Sequence, residues 1–229
     1  MNGSQPRGRG KAIGIGVGVL AVLGSLVGGG LYMVSGNDDK AGTYTIELPQ
    51  TLADGEYKQL PGKKEKQGPD ADDRAELKKL GLGDADGDNA VYRNDKKQGL
   101  QVIGVYGRIP DPEKAVDKMI KEMSKAGEDD AEQPPGDELK RGKYQDYRPG
   151  GFDGAVLKCK QDAMSFSMDG TRISMTTSQC IWGDKGAVGL VASHSMGGSD
   201  DDGRKADGLP ADKLAELTAK IRNEVRKPK

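Results

Sequence analysis

Apolar positions recur along this chain with three different rhythms, and each rhythm predicts a different kind of element. From Ala12 to Val34 they run without a charged side chain. As a helix rising about 1.5 Å per residue, that run reaches about 35 Å, enough to cross a hydrocarbon core of about 30 Å. Alternation with period two predicts strands at Thr43–Leu48 (TYTIEL) and on both sides of Asp169-Gly170, a two-residue hairpin signal. Further strands are predicted at Ala90–Arg93 and Leu100–Ile109, joined by a turn-rich NDKKQG, and at Gly154–Lys160. Ala187–Ser193 (AVGLVAS) predicts another strand, buried throughout. Helical spacing appears twice. Asp111-Pro112 supplies an N-cap and a first-turn proline ahead of Ala115, Val116, Met119, Ile120 and Met123, and a second helix starts at Pro210 with Leu214, Leu217, Ile221 and Val225 along one side. A short helix is also predicted over Asp72–Leu80, ended by Gly81 or Gly83.

These elements predict an α+β fold: one N-terminal transmembrane helix, then a domain with a mostly antiparallel sheet and both amphipathic helices on one of its faces. The expected organisation is a short basic tail at 1–11, the transmembrane helix at 12–34, a juxtamembrane linker at 35–42, and the domain at 43–227. The domain divides into halves, 43–126 and 152–227, joined by a polar loop at 127–151.

Gly16-x-Gly18-x-x-Ala21, with Asp38 and Asp39 about twenty residues on, matches a relaxed dinucleotide-binding fingerprint. That fingerprint needs a strand before its first glycine. The residues before Gly14, MNGSQPRGRGKAI, form a polar basic tail, so the span reading is preferred. Arg7, Arg9 and Lys11 precede the span and Asp38 and Asp39 follow it, which orients the N-terminus to the cytoplasm and the domain to the outside. A cleaved secretory signal, whose apolar region is usually about 7–15 residues, would export the same domain. Within the span Gly14, Gly18, Ala21, Ser25 and Gly28 form a stripe of small residues suited to pairing with a second copy of the helix.

Charge narrows the partners further. Removing Arg7, Arg9 and Lys11 leaves 32 basic against 36 acidic residues, which argues against a nucleic-acid ligand. The expected partners are the lipid bilayer, an envelope protein and a second copy of the chain.

The two cysteines are placed by the hairpin signal. If Asp169-Gly170 is a two-residue turn, facing residues have numbers that sum to 339, as Cys159 and Cys180 do. They fall at a non-hydrogen-bonded site, with Cα atoms about 4.5 Å apart, within disulfide range. An exported domain favours the oxidised pair. Parity raises an objection. Phe166, Met168, Ile173 and Met175 alternate in the opposite phase to Leu157, Cys159, Cys180 and Trp182, which predicts a bulge, a strong twist or a change of partner around Lys160–Ala163.

The stretch from Cys180 through Trp182, Asp184 and Val188 to Gly189 has the form C-x-W-x-D-x-x-x-V-G. It resembles a pattern in uncharacterised single-pass or lipid-anchored extracytoplasmic proteins of Streptomyces-like actinobacteria. The DPE-like helix start at Asp111-Pro112-Glu113 is similar as well. The resemblance implies a location outside the membrane and a domain type, with no activity attached.

Candidate chemistry is sparse. His194, the sole histidine, lies between Ser193 and Ser195, but no nucleophile elbow surrounds them and neighbours on a strand face opposite ways. No catalytic residue is assigned. Asp84, Asp86, Asp88 and Asp95 occupy positions 1, 3, 5 and 12 of an EF-hand-like loop, which makes calcium the one candidate cation, although Asn89 replaces the usual glycine. The sequence therefore predicts a binding or scaffolding module at the cell envelope. A calcium-responsive module is a second reading and a hydrolase a third.

Overall fold

Most of the predicted strands join one antiparallel sheet, while Thr43–Leu48 supplies a strand of a separate two-stranded ribbon. The computed structural model describes residues 44–61, 85–129, 138–168, 171–194 and 208–228. Strands β1 (Tyr44–Ile46), β2 (Thr51–Leu52), β3 (Tyr57–Gln59), β4 (Asp86–Arg93) and β5 (Gly99–Tyr106) lead to helix α1 (Pro112–Asp129). Strands β6 (Glu138–Lys140), β7 (Gln145–Asp146), β8 (Val156–Met168), β9 (Thr171–Gly183) and β10 (Ala187–His194) lead to helix α2 (Ala211–Val225), which runs straight into β11 (Arg226–Pro228). The main sheet has the order β2-β3-β4-β5-β10-β9-β8-β6, with β7 also on β8, while β1 and β11 make a separate two-stranded ribbon. Because β10 is inserted between β5 and β9, strands from both predicted halves share one sheet.

The two helices cover opposite faces of the sheet, which corrects the expectation that both lie on one. Alternation explains the arrangement. Leu100 and Val102 of β5, Cys180 and Trp182 of β9 and Val191 of β10 pack with Leu214, Ala215, Ala219, Ile221 and Val225 of α2. Their neighbours Ile103, Val105, Ile181 and Leu190 pack with Ala115, Val116, Met119 and Met123 of α1. Strands buried on both sides read as continuous apolar runs and carry no signal of which face a helix takes. The start of α1 is as its sequence predicts: Asp111 caps it, accepting a bond from the Lys114 N–H at 3.1 Å.

The β8–β9 ladder is continuous from Val156↔Gly183 to Met168↔Thr171, and every pair keeps the sum of 339. Parity changes because Met164↔Met175 lies five rungs from Cys159↔Cys180, on the opposite face of one unbroken ladder. The irregularity sits on the other edge of β8. There β6 pairs Lys140 with Ala163, whereas β7 pairs Gln145 with Cys159. Four residues, 141–144, therefore oppose three, 160–162, which is a bulge on an edge strand. The 127–151 segment, read as a loop, thus contains β6 and β7, whose main-chain pairing holds them despite their polar side chains.

β1 packs against the sheet through Ile46. A Cβ on Gly104 would lie 2.7 Å from two Ile46 carbons, so glycine at this position gives the ribbon its seat.

Residues 12–34, the small-residue stripe, Asp72–Leu80 and the Asp169-Gly170 turn lie outside the described residues. Among the described residues, no helix is long and apolar enough to cross a membrane.

Candidate functional site

Three residues of the C-x-W-x-D-x-x-x-V-G stretch converge on α2, each with its own contact. Cys180 forms a disulfide with Cys159, the two Cα atoms 4.1 Å apart. Trp182 lies flat over Gly189 of the adjacent strand. A Cβ on Gly189 would fall 2.3 Å from Trp182 Nε1 and 2.5 Å from Cε2, so no side chain fits beneath the indole.

Asp184 is the centre of the arrangement. It ends β9 and turns the chain toward β10, accepting backbone N–H bonds on Oδ1 from Gly186 at 2.8 Å and Ala187 at 3.0 Å. The Tyr44 hydroxyl donates to the same oxygen. Arg222 of α2 donates to Oδ2 through Nη2 at 2.7 Å and Nε at 3.1 Å. The Arg222 and Asp184 side chains are only 4% and 7% exposed. The guanidinium also lies over two aromatic rings, 4.8 Å from the Phe152 centroid and 5.6 Å from that of Trp182. Burial, followed by the hydrogen bond to Asp184, raises the Tyr44 hydroxyl well above the usual phenol range. The Arg226 guanidinium lies over the same Tyr44 ring, 4.1 Å from its centroid.

The chemical capacity of this cluster follows from counting donors. A carboxylate offers about four lone-pair sites, and five N–H and O–H groups already point at Asp184. Its acceptor sites are therefore taken up within the fold. The cluster joins β1, the β9–β10 turn and α2, and holds the fold together at this end of the sheet.

The other candidate residues are dispersed. Asp86 and Asp88 lie on β4 and Asp95 in the turn beyond its far end. Roughly 23 Å of extended strand separates residue 86 from residue 93, so these aspartates cannot wrap one ion, and the calcium loop is corrected to a strand. Asp86 instead accepts from Tyr106 at 3.2 Å, Asp88 accepts from the Asn89 N–H at 3.1 Å, and Asp95 pairs with Lys58 at 3.6 Å. Asp84 lies outside the described residues. Among the described residues, no group of three or more His, Cys, Asp or Glu is placed to hold a metal. A shallow depression of about 280 Å³ between Tyr57 and α2 has Leu209 and Leu217 in its wall, but its rim residues Lys213 and Glu216 pair with each other at 3.0 Å.

Ser193 and His194 close β10 on opposite faces. Burial holds the His194 imidazole below its ordinary pKa. The unfolded chain, with an ordinary value of about 6.5, therefore takes up the proton first as pH falls. The stability linked to His194 is complete above that value and is lost as pH drops through it toward the folded-state pKa. The urea midpoint should fall from about pH 7.5 to about 5.5, with a shallower fall in His194→Gln. Equal slopes in the two proteins would refute the assignment.

No family model, curated protein or solved structure matches this chain.

Proposed function

We propose that this protein is anchored in a membrane by residues 12–34 and carries its α+β domain on the outer side, where it acts by binding another component of the cell envelope. The observation that carries the reading is the Cys159–Cys180 disulfide, a bond that persists in oxidising compartments. It agrees with the uncharged run at 12–34 and the basic residues Arg7, Arg9 and Lys11 before it. Binding is preferred to catalysis because the buried charged cluster found among the described residues uses its oxygens to hold the fold.

The test is crosslinking of the full chain in cells, with mass spectrometry of whatever is attached to residues 37–229, combined with protease treatment of intact spheroplasts. Digestion of the domain from outside and a reproducible crosslinked envelope protein are expected. A crosslinked species of twice the chain mass would make a second copy the partner, as the stripe from Gly14 to Gly28 suggests. A protease-protected domain with free thiols would overturn the topology. An accessible domain that crosslinks to nothing would overturn the binding role.

A further inference from the structure

We propose that the β1–β11 ribbon is a strap that couples the entry of the chain to the buried Asp184 cluster, so that peeling β1 away opens that cluster while the main sheet stays folded. Both side-chain donors to Asp184 belong to the strap or its root. Tyr44 is the first residue of β1, and Arg222 lies one helical turn before β11 on the helix that continues into it. Ribbon and cluster therefore share the same two chain segments, and neither can move alone.

The ribbon is slight enough to open without the main sheet. Its register is Tyr44↔Pro228, Thr45↔Lys227 and Ile46↔Arg226. The Glu47 N–H donates to the Val225 carbonyl at 2.9 Å, and alternation then makes Thr45↔Lys227 the hydrogen-bonded pair and Tyr44↔Pro228 a non-hydrogen-bonded one. This accounts for the proline in β11, which sits where no ladder N–H is required. Neither β1 nor β11 joins the nine-stranded sheet. Beyond the ribbon, Tyr44 on Asp184 and Ile46 on Gly104 seat β1 on the domain.

The direction of load follows from the chain path. Residues 35–43 lead into Tyr44, at the outermost pair of the ribbon. Tension arriving through them reaches Tyr44 before the rest of the ribbon, and with it the Tyr44 bond to Asp184. That trigger rests on the anchored reading of residues 12–34, whereas the coupling between strap and cluster does not.

Amide exchange and Trp182 fluorescence of the full chain in liposomes test the coupling, with Lys227→Pro as the strap variant and Lys227→Gln as its control. Lys227 is exposed and outside the cluster, and proline removes one N–H of the hydrogen-bonded pair. Trp182 is the only tryptophan and touches Arg222, so its emission reports the cluster directly. The expected result in Lys227→Pro is exchange about tenfold faster at Thr45 and Glu47 and, in step, at Gly186 and Ala187, with a red shift of Trp182 and unchanged exchange in the β5–β10 ladder. Fast exchange confined to Thr45 and Glu47 would overturn the coupling. Equal acceleration throughout the β5–β10 ladder would overturn the independence of the strap. Co-flotation with the liposomes is read separately, and its loss would remove the anchored trigger and leave the coupling result standing.

Discussion

Replacing Asp184 with alanine is expected to cost about 3–5 kcal/mol, the range for breaking a buried ion pair by deleting one partner. The magnitude follows from what remains behind. Arg222 would keep its charge at 4% side-chain exposure with no carboxylate opposite it, and the Gly186 and Ala187 N–H groups and the Tyr44 hydroxyl would lose their shared acceptor. Asp184→Asn should lose nearly as much, since an amide keeps one acceptor oxygen but brings an NH₂ toward the guanidinium donors. Urea unfolding followed by Trp182 emission measures both variants. If either fails to fold, the double variant Asp184→Ala/Arg222→Met decides the matter: removing the stranded charge should restore folding and recover part of the loss. A loss below about 1 kcal/mol in the single variants, the range of exposed ion pairs, would mean that the cluster contributes little.

The parts of the fold legible in the sequence are those governed by local geometry. A two-residue turn dictates every pair along its hairpin, so Asp169-Gly170 was enough to place Cys159 opposite Cys180 across nine intervening rungs. The α1 start was legible because capping by Asp111 and the proline preference at the next position act over a single turn. Other features depend on what lies across the sheet. LQVIGV and AVGLVAS are buried on both faces, so alternation could not assign a helix to either side. In β4, the spacing of Asp86 and Asp88 that suggests ion-ligating oxygens is also the period of a strand. The side chain of Asp88 is buried at 4% exposure on the same face as Ala90 and Tyr92.

The central cluster was half legible. The resemblance drew attention to Cys180, Trp182, Asp184 and Gly189, but its partners Tyr44 and Arg222 are 140 and 38 residues away from Asp184 in the chain. Arg222 left one trace: it follows Thr218 and Ala219 at helical spacing within the apolar side of α2, where a surface arginine would not be expected. That trace shows a buried cation without naming its carboxylate. The motif thus acquires a physical reading, with the tryptophan needing a glycine across the ladder and the aspartate needing an arginine from the covering helix.

Converting both Cys159 and Cys180 to alanine is expected to lower stability by about 3 kcal/mol from chain entropy alone, for a bridge between residues 21 apart. A second contribution comes from packing, because the two residues are 1% and 0% exposed beneath α2 and alanines there leave a void. The two causes separate experimentally. Valine at both positions refills much of the space and suits a strand, so Cys159→Val/Cys180→Val should recover the packing loss and none of the entropic one. Urea midpoints of the oxidised protein and both double variants supply the comparison. The alanine pair should be least stable, with the valine pair between it and the disulfide form. A valine pair as stable as the oxidised protein would show that the sulfurs act only by filling the core. Burial also sets the order of events on reduction. With α2 seated, a reductant has no path to either sulfur, so the bond should survive in native buffer and break only in urea above the midpoint, after which the refolded protein should show the lower stability. Rapid reduction under native conditions would mean that α2 lifts from the sheet far more often than global unfolding permits.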